Sequence, residues 1–221
     1  MAFDVDVLDD REQSERVQKW LRENVLSILI GIGLGLLLIF GWQQWRRHQA
    51  SHRLDAATQF QVFQSDLDKN DVDAAKKIAA KLQSDYASTP YAAMSSLRLA
   101  AHDAQRSDHS DAHAALEQAY KNAGNDALKT VSGLYLARSE IAQNKPQEAL
   151  KLLDTLPQTG YASMRAEVRG DALAALGNKA QAHEAYAKAL AELDVQQANS
   201  ATHTFLEMKL NDSAGQEKKG S

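Results

Sequence analysis

His109 and His113 stand four residues apart beside Asp108 and Asp111. On a helix that spacing brings two imidazoles to one face, as a metal site requires. No Glu follows the first His, as the two-histidine zinc-protease motif demands, and no third ligand is evident. His48 and His52 repeat the spacing with no better support. Both pairs read as solvated helix positions, which leaves a metal-dependent hydrolase as a remote alternative. Asp66, Asp68, Asp71 and Asp73 crowd one turn. Their pattern lacks the glycine and the closing Glu of a calcium loop, and so reads as helix capping. There is no G-x-S-x-G elbow and no phosphate-cradling P-loop. With no cysteine, a disulfide framework, a Cys-ligated zinc and a thiol nucleophile are all excluded. These residues point to no catalytic group, cofactor or bound metal, and so to a protein that is not an enzyme.

The strongest physical signal is instead VLSILIGIGLGLLLIFGW, Val25–Trp42, inside an uncharged stretch from Asn24 to Trp45. About eighteen apolar residues in a helix reach roughly 27 Å, enough for one membrane crossing. The run is longer than a signal-peptide core and lacks a small-residue cleavage site at its exit, so it reads as a retained signal-anchor. Trp20, Trp42 and Trp45 are the only tryptophans, and all lie near its ends, where an apolar ring with one N–H donor is favoured. Flanking charge does not fix the orientation. Arg11, Arg16, Lys19 and Arg22 precede the run; Arg46, Arg47 and Arg53 follow it. Gly31 and Gly35 form a G-x-x-x-G pair that offers a close-packing face to another membrane helix.

The remainder forms one domain. A formal net charge of -4 gives no basic footprint for nucleic acid. Four segments carry apolar residues at helical spacing: Ala75/Ile78/Ala79/Leu82, Ala112/Ala115/Leu116/Ala119, Ala149/Leu152/Leu153/Leu156 and Ala182/Ala185/Tyr186/Ala189. Each is one stripe of an amphipathic helix. Their first residues lie 37, 37 and 33 apart. Five residues before each stripe stands a turn-former, Asn70, Ser107, Asn144 or Gly177. Ala100, Ala137 and Gly170 lie twelve residues before three of the stripes, where two helices can cross closely, and Phe63 departs from that pattern.

This periodicity predicts stacked helix–turn–helix units. Helices are expected over 54–68, 71–86, 90–106, 109–123, 126–143, 146–156, 160–176, 178–194 and 202–210, the last capping the stack. The expected layout is a head over 1–24, a transmembrane helix over 25–45, a repeat domain over 46–211 and a disordered tail over 212–221. The fold class is all-α: an N-terminal transmembrane helix, then a tetratricopeptide-like α-solenoid of about four helix pairs with a capping helix. Such a solenoid offers a concave groove for peptides or partner helices. Arg98, Tyr135, Arg138, Arg165 and Arg169 are its candidate lining, with Gly31 and Gly35 as the candidate contact in the bilayer.

The head ERVQKWLREN, the exit GWQQWRRHQ, the segment RAEVRGDALAALGNKAQAHEAY and the terminal MKLN, in that order, resemble the YfgM family, the ancillary subunits of the SecYEG translocon. The resemblance covers nearly the whole chain. It implies a cytoplasmic head, a periplasmic repeat domain and a bacterial inner-membrane location. It also implies association with SecYEG and with a membrane-anchored periplasmic chaperone of the prolyl-isomerase class, in a scaffold that hands on translocating polypeptides. A membrane-anchored scaffold for another envelope-assembly complex is the alternative.

Overall fold

Four left-handed residues decide where the chain doubles back. Asn70, Ser107, Asn144 and Gly177 hold φ at 61°, 63°, 63° and 79° in the computed structural model. At each, the residue's own N–H reaches a carbonyl three residues back, and the next N–H reaches one five residues back. Asn70 N–H bonds Leu67 O at 3.0 Å and Asp71 N–H bonds Asp66 O at 2.9 Å. Ser107 and Asp108, Asn144 and Lys145, and Gly177 and Asn178 repeat the pattern. This is the Schellman closure, which satisfies carbonyls that a helix end leaves orphaned. The second residue of each turn is already the N-cap of the next helix. Asp71 accepts from Ala74 N–H and Asp108 from Asp111 N–H, at 3.1 and 3.2 Å. At the third turn Pro146 takes the first helical position instead, where its missing N–H costs nothing.

The structure describes residues 5–158, 160–193 and 200–214, with side chains from residue 14 onward except that of Ile28. Among these it is helical without strands: α1 (Val5–Asp68), α2 (Val72–Asp85), α3 (Pro90–Gln105), α4 (His109–Lys121), α5 (Asp126–Ala142), α6 (Pro146–Thr155), α7 (Ala162–Ala175), α8 (Lys179–Ala191) and α9 (Ala201–Ala214). Contacts divide the chain into two units, Met1–His52 and Arg53–Ser221.

In the first unit the apolar run stands exposed along α1, with Leu26, Leu37, Leu38 and Phe40 all more than 60% accessible. The Trp42 and Trp45 rings lie 5.1 Å apart. Among the described residues no single helix is long and apolar enough to cross a membrane. The stretches Ser14–Ser27 and Leu29–Asp68, bent by 50°, meet that requirement only as a pair.

In the second unit the expected stripes form the core. Of their sixteen positions, Ile78, Ala115 and Leu152 are half-buried and the others are buried. The end of α1 pairs with α2, α3 with α4, α5 with α6 and α7 with α8; α9 closes the stack by burying Leu206 against Ala166 and Ala189. In the first pair the position that departs from the small-residue pattern is filled by Phe63, fully buried and stacked 5.7 Å from Phe60. In the last pair Gly170 leaves room for Tyr186, whose Cε1 would lie 2.5 Å from any Cβ at that position. A second close crossing, absent from the sequence pattern, occurs at Gly133 against Leu156 and Tyr120.

Several boundaries differ from expectation: the helix expected over 54–68 is the end of the longer α1, and α8 stops at Ala191 rather than 194. Gly160 and Tyr161 both hold positive φ, which delays the start of α7 to Ala162. At the other end α9 continues to Ala214, past the expected start of the tail, because Ser213 bonds Leu210 O at 2.6 Å and His183 at 3.1 Å. Residues 215–221 of the expected tail, and residue 194 of the expected eighth helix, lie outside the described residues.

The turns and the crossing are both open to test by thermal melting. A non-glycine residue in the left-handed region costs about 1–2 kcal/mol, part of which glycine returns as chain entropy. Ser107→Gly is therefore expected to raise stability by about 0.5–1 kcal/mol, and Gly177→Ala to lower it by about 1 kcal/mol. Equal melting of both variants and the parent would contradict the turn account. Tyr186→Ala should cost about 2–4 kcal/mol through the cavity it leaves. Gly170→Leu should cost at least as much by forcing α7 and α8 apart.

Candidate functional site: an apolar cavity with a cationic rim

Helices α3, α4 and α5, with the second-unit end of α1, enclose a cavity of about 910 Å³. Leu97, Ala100, Ala101, Ala112 and Leu116 make an apolar floor, with Phe60 and Met94 beside it. The alanines are what open it: their short side chains leave space where larger residues would close the helices together. Arg98, His109, Tyr135 and Arg138 stand on its lining with Gln64, Ser139 and Gln143, and no Asp or Glu is among the lining residues. The Arg98 guanidinium lies 3.8 Å from Asp68, with both side chains more than half exposed, a pair that contributes little in water. Arg138 sits 5.9 Å from the Tyr135 ring centre.

The structure thus brings Arg98, Tyr135 and Arg138 to one cavity, and Arg165 and Arg169 elsewhere. Arg165 donates to the Leu156 and Pro157 carbonyls and fastens the α6–α7 connection. Burial, with the nearby Arg169 charge, holds its pKa below the ordinary arginine value. Arg169 pairs with Asp154 of α6. Gly31 and Gly35 belong to the first unit, and a Cβ built at either would meet nothing within 4 Å beyond its own stretch of helix.

The paired histidines part company. His109 is exposed, whereas His113 is half-buried between α4 and α5, bonded to the Ser139 hydroxyl at 2.9 Å and facing Glu117 and Glu140 at 3.7 and 3.8 Å. The expectation of a solvated His113 fails because the α4–α5 contact covers that face. No cluster of three or more His, Asp or Glu among the described residues is placed to hold a metal.

The most connected polar cluster among the described residues is one that no sequence motif marks. Glu167 and Asp171, one turn apart on α7, both accept from Lys209 of α9, at 2.8 and 2.7 Å. Glu167 also accepts from Arg138 at 2.8 Å, and Asp171 from the Tyr186 hydroxyl at 2.9 Å. Burial, then the Asp171 and Glu167 carboxylates, push the Tyr186 phenol well above its ordinary pKa. The available signal was two acids four apart on the helix face that also carries the Gly170 crossing, and a lysine inside the apolar run TFLEMKL. On the outer helices Lys76 bonds Asp111 at 2.7 Å, and that bond raises the Lys76 pKa against the opposing effect of burial.

The repeated helix pairs, with a cavity lined by apolar side chains and two arginines, define a tetratricopeptide-like adaptor. The family model of the tetratricopeptide repeat-like domain matches residues 18–215. The chain is 31% identical over 206 residues to the ancillary SecYEG translocon subunit of Escherichia coli K12, covering 92% of this chain and 96% of that one. It is 24% identical to the protein of that name in Haemophilus influenzae, over 96% of this chain and 99% of the relative. Against the Neisseria gonorrhoeae protein the identity is 28%, over 87% and 88%. No solved structure matches the chain. The chain belongs to the family of the ancillary SecYEG translocon subunits, the YfgM family, whose members are non-catalytic adaptors.

The Tyr186 phenol gives a pH test. Its pKa is raised in the folded state, so its contribution is intact below the unfolded value of about 10 and is lost as pH climbs beyond it. Tyr186→Phe should therefore lose less stability than the parent between about pH 10 and 11, in chemical unfolding followed at each pH. Parallel pH profiles would contradict the buried, acid-facing phenol.

Proposed function

We propose that this chain is a membrane-tethered scaffold associated with the SecYEG translocon. The observation that carries the reading is its end-to-end likeness to relatives bearing that name. The exposed apolar run of α1 supports a tether, because so many large side chains left in water would be costly for a soluble protein. In this reading the segment 25–45 crosses the inner membrane once, residues 1–24 stay in the cytoplasm and the repeat domain faces the periplasm. Trp20, Trp42 and Trp45 sit at the two interfaces.

Two surfaces share the work. Gly31 and Gly35 offer a face for close packing in the bilayer, where association depends on shape rather than on the hydrophobic effect. The cavity of the repeat domain holds a partner in the aqueous phase. Tethering raises the local concentration of that second contact to roughly millimolar for a short linker, so a weak interaction suffices. The partner on the periplasmic side is a membrane-anchored chaperone that takes over newly translocated polypeptides, as the family resemblance implies.

Affinity purification of the full-length chain from inner membranes in mild detergent tests this. SecY, SecE and SecG should co-purify, and recovery should fall several-fold when Gly31→Ile and Gly35→Ile are combined, with the melting of the repeat domain unchanged. Recovery of a different envelope complex in place of SecYEG would replace the proposal. Full recovery with the double variant would reduce the span to an anchor. A reporter fused after Asn211 should be active only as a periplasmic reporter, and cytoplasmic activity would reverse the orientation.

A further inference from the structure

The cavity and the capping helix are joined by one chain of charges. Arg138 on the cavity rim donates through Nη2 to Glu167; Lys209 of α9 donates to Glu167 and Asp171; Asp171 accepts from Tyr186. The four charged side chains are between 11% and 32% exposed, so their mutual fields are only partly screened. Two cations face two anions. If Lys209 lost its charge, the two carboxylates of α7 would outweigh Arg138, and that one of the two lining arginines would be more than neutralised. With Lys209 in place the acidic pair is balanced from the far side. One guanidinium nitrogen is committed to Glu167, and a guanidinium has five N–H donors.

We propose that the cavity receives an apolar peptide segment bearing a carboxylate. Arg138 selects the carboxylate, and Lys209 is the positioning residue that keeps Arg138 available for it. This rests on reading the domain as a partner-binding scaffold, and it names the chemistry of what is bound. The floor of Leu97, Leu116 and alanines takes the apolar side chains. Arg98 and Arg138, with no acid among the lining residues, complement the carboxylate. A fatty acid also has an apolar chain and a carboxylate, but Gln64, Ser139 and Gln143 bring amide and hydroxyl groups that suit a peptide backbone.

The test uses the full chain in lipid nanodiscs and a library of short apolar peptides in which one central position is Glu, Gln or Lys. The readout is the ratio of bound Glu to bound Gln peptides, which partial unfolding would leave unchanged because both are lost alike. The ratio should be about tenfold for the parent, as a charge-assisted hydrogen bond provides, with Lys peptides weakest. It should fall to near one in Arg138→Gln, drop in Lys209→Met and recover in Lys209→Arg. A ratio near one in the parent, or one unmoved by Arg138→Gln, would overturn the proposal. So would capture of no peptide, and oleate binding in that case would assign the cavity to lipid. A ratio unchanged in Lys209→Met would remove the positioning role. None of these outcomes depends on SecYEG recovery: a chain that co-purifies with the translocon yet shows no acidic preference contradicts this inference alone.

Discussion

The structure of the repeat domain depends on a backbone constraint: in each pair a helix must end and the next begin with only three residues between them. That is possible only where one residue adopts the left-handed conformation and its neighbour can cap. Asn70, Ser107, Asn144 and Gly177 meet the first condition. With the turn so short, paired helices must run back against each other, and the stripes beginning at Ala75, Ala112, Ala149 and Ala182 must face the helix before them. The first helices of successive pairs are then left side by side. Their small residues, Ala100 and Ala101 of α3 among them, open a cavity instead of a filled core. The site is thus a consequence of the turn spacing and of alanine at the inner positions.

The C-terminal end requires a different solution. A stack of helices ends with an apolar face exposed unless a further element covers it. Here α9 supplies Leu206 for that face, and Lys209 enters beside it to meet Glu167 and Asp171. Carboxylates at this depth are tolerated because each accepts from a cation and from a second donor. Two segments that carry the family likeness, RAEVRGD and MKLN, are joined directly by these bonds. The likeness therefore follows a physical contact between α7 and α9, which links the end of the solenoid to the rim of the cavity through Arg138.

Much of this was legible in the sequence because it is local or periodic. The turn-formers and the four stripes repeat at near-constant spacing, and the Gly170–Tyr186 fit follows from a small residue facing a large one. What was not legible depends on which distant side chain meets which. Arg165 and Arg169 looked like groove residues by their position on a first helix, but the carbonyls after α6 and the carboxylate of Asp154 engage them. His113 looked solvated at a helix start until α5 covered it. Glu167, Asp171 and Lys209 have only a local signal, the spacing of two acids and a lysine among apolar residues, and that signal does not name a partner some forty residues away. The cavity is likewise invisible to periodicity, because an alanine that fills a close crossing and one that lines open space leave the same mark.

In the proposed reading, the cavity of the first three helix pairs holds partners at the membrane. Site-specific photo-crosslinking from the full-length chain in inner membranes tests it most directly. Crosslinking residues placed at Met94 and Tyr135, inside the cavity, should give discrete adducts with polypeptides of the translocon assembly. The same residue at Lys151 or Glu184, on the second helices of the third and fourth pairs and outside the cavity lining, should give none. Adducts from Lys151 and Glu184, with silence from Met94 and Tyr135, would instead place the binding face on the outside of the solenoid.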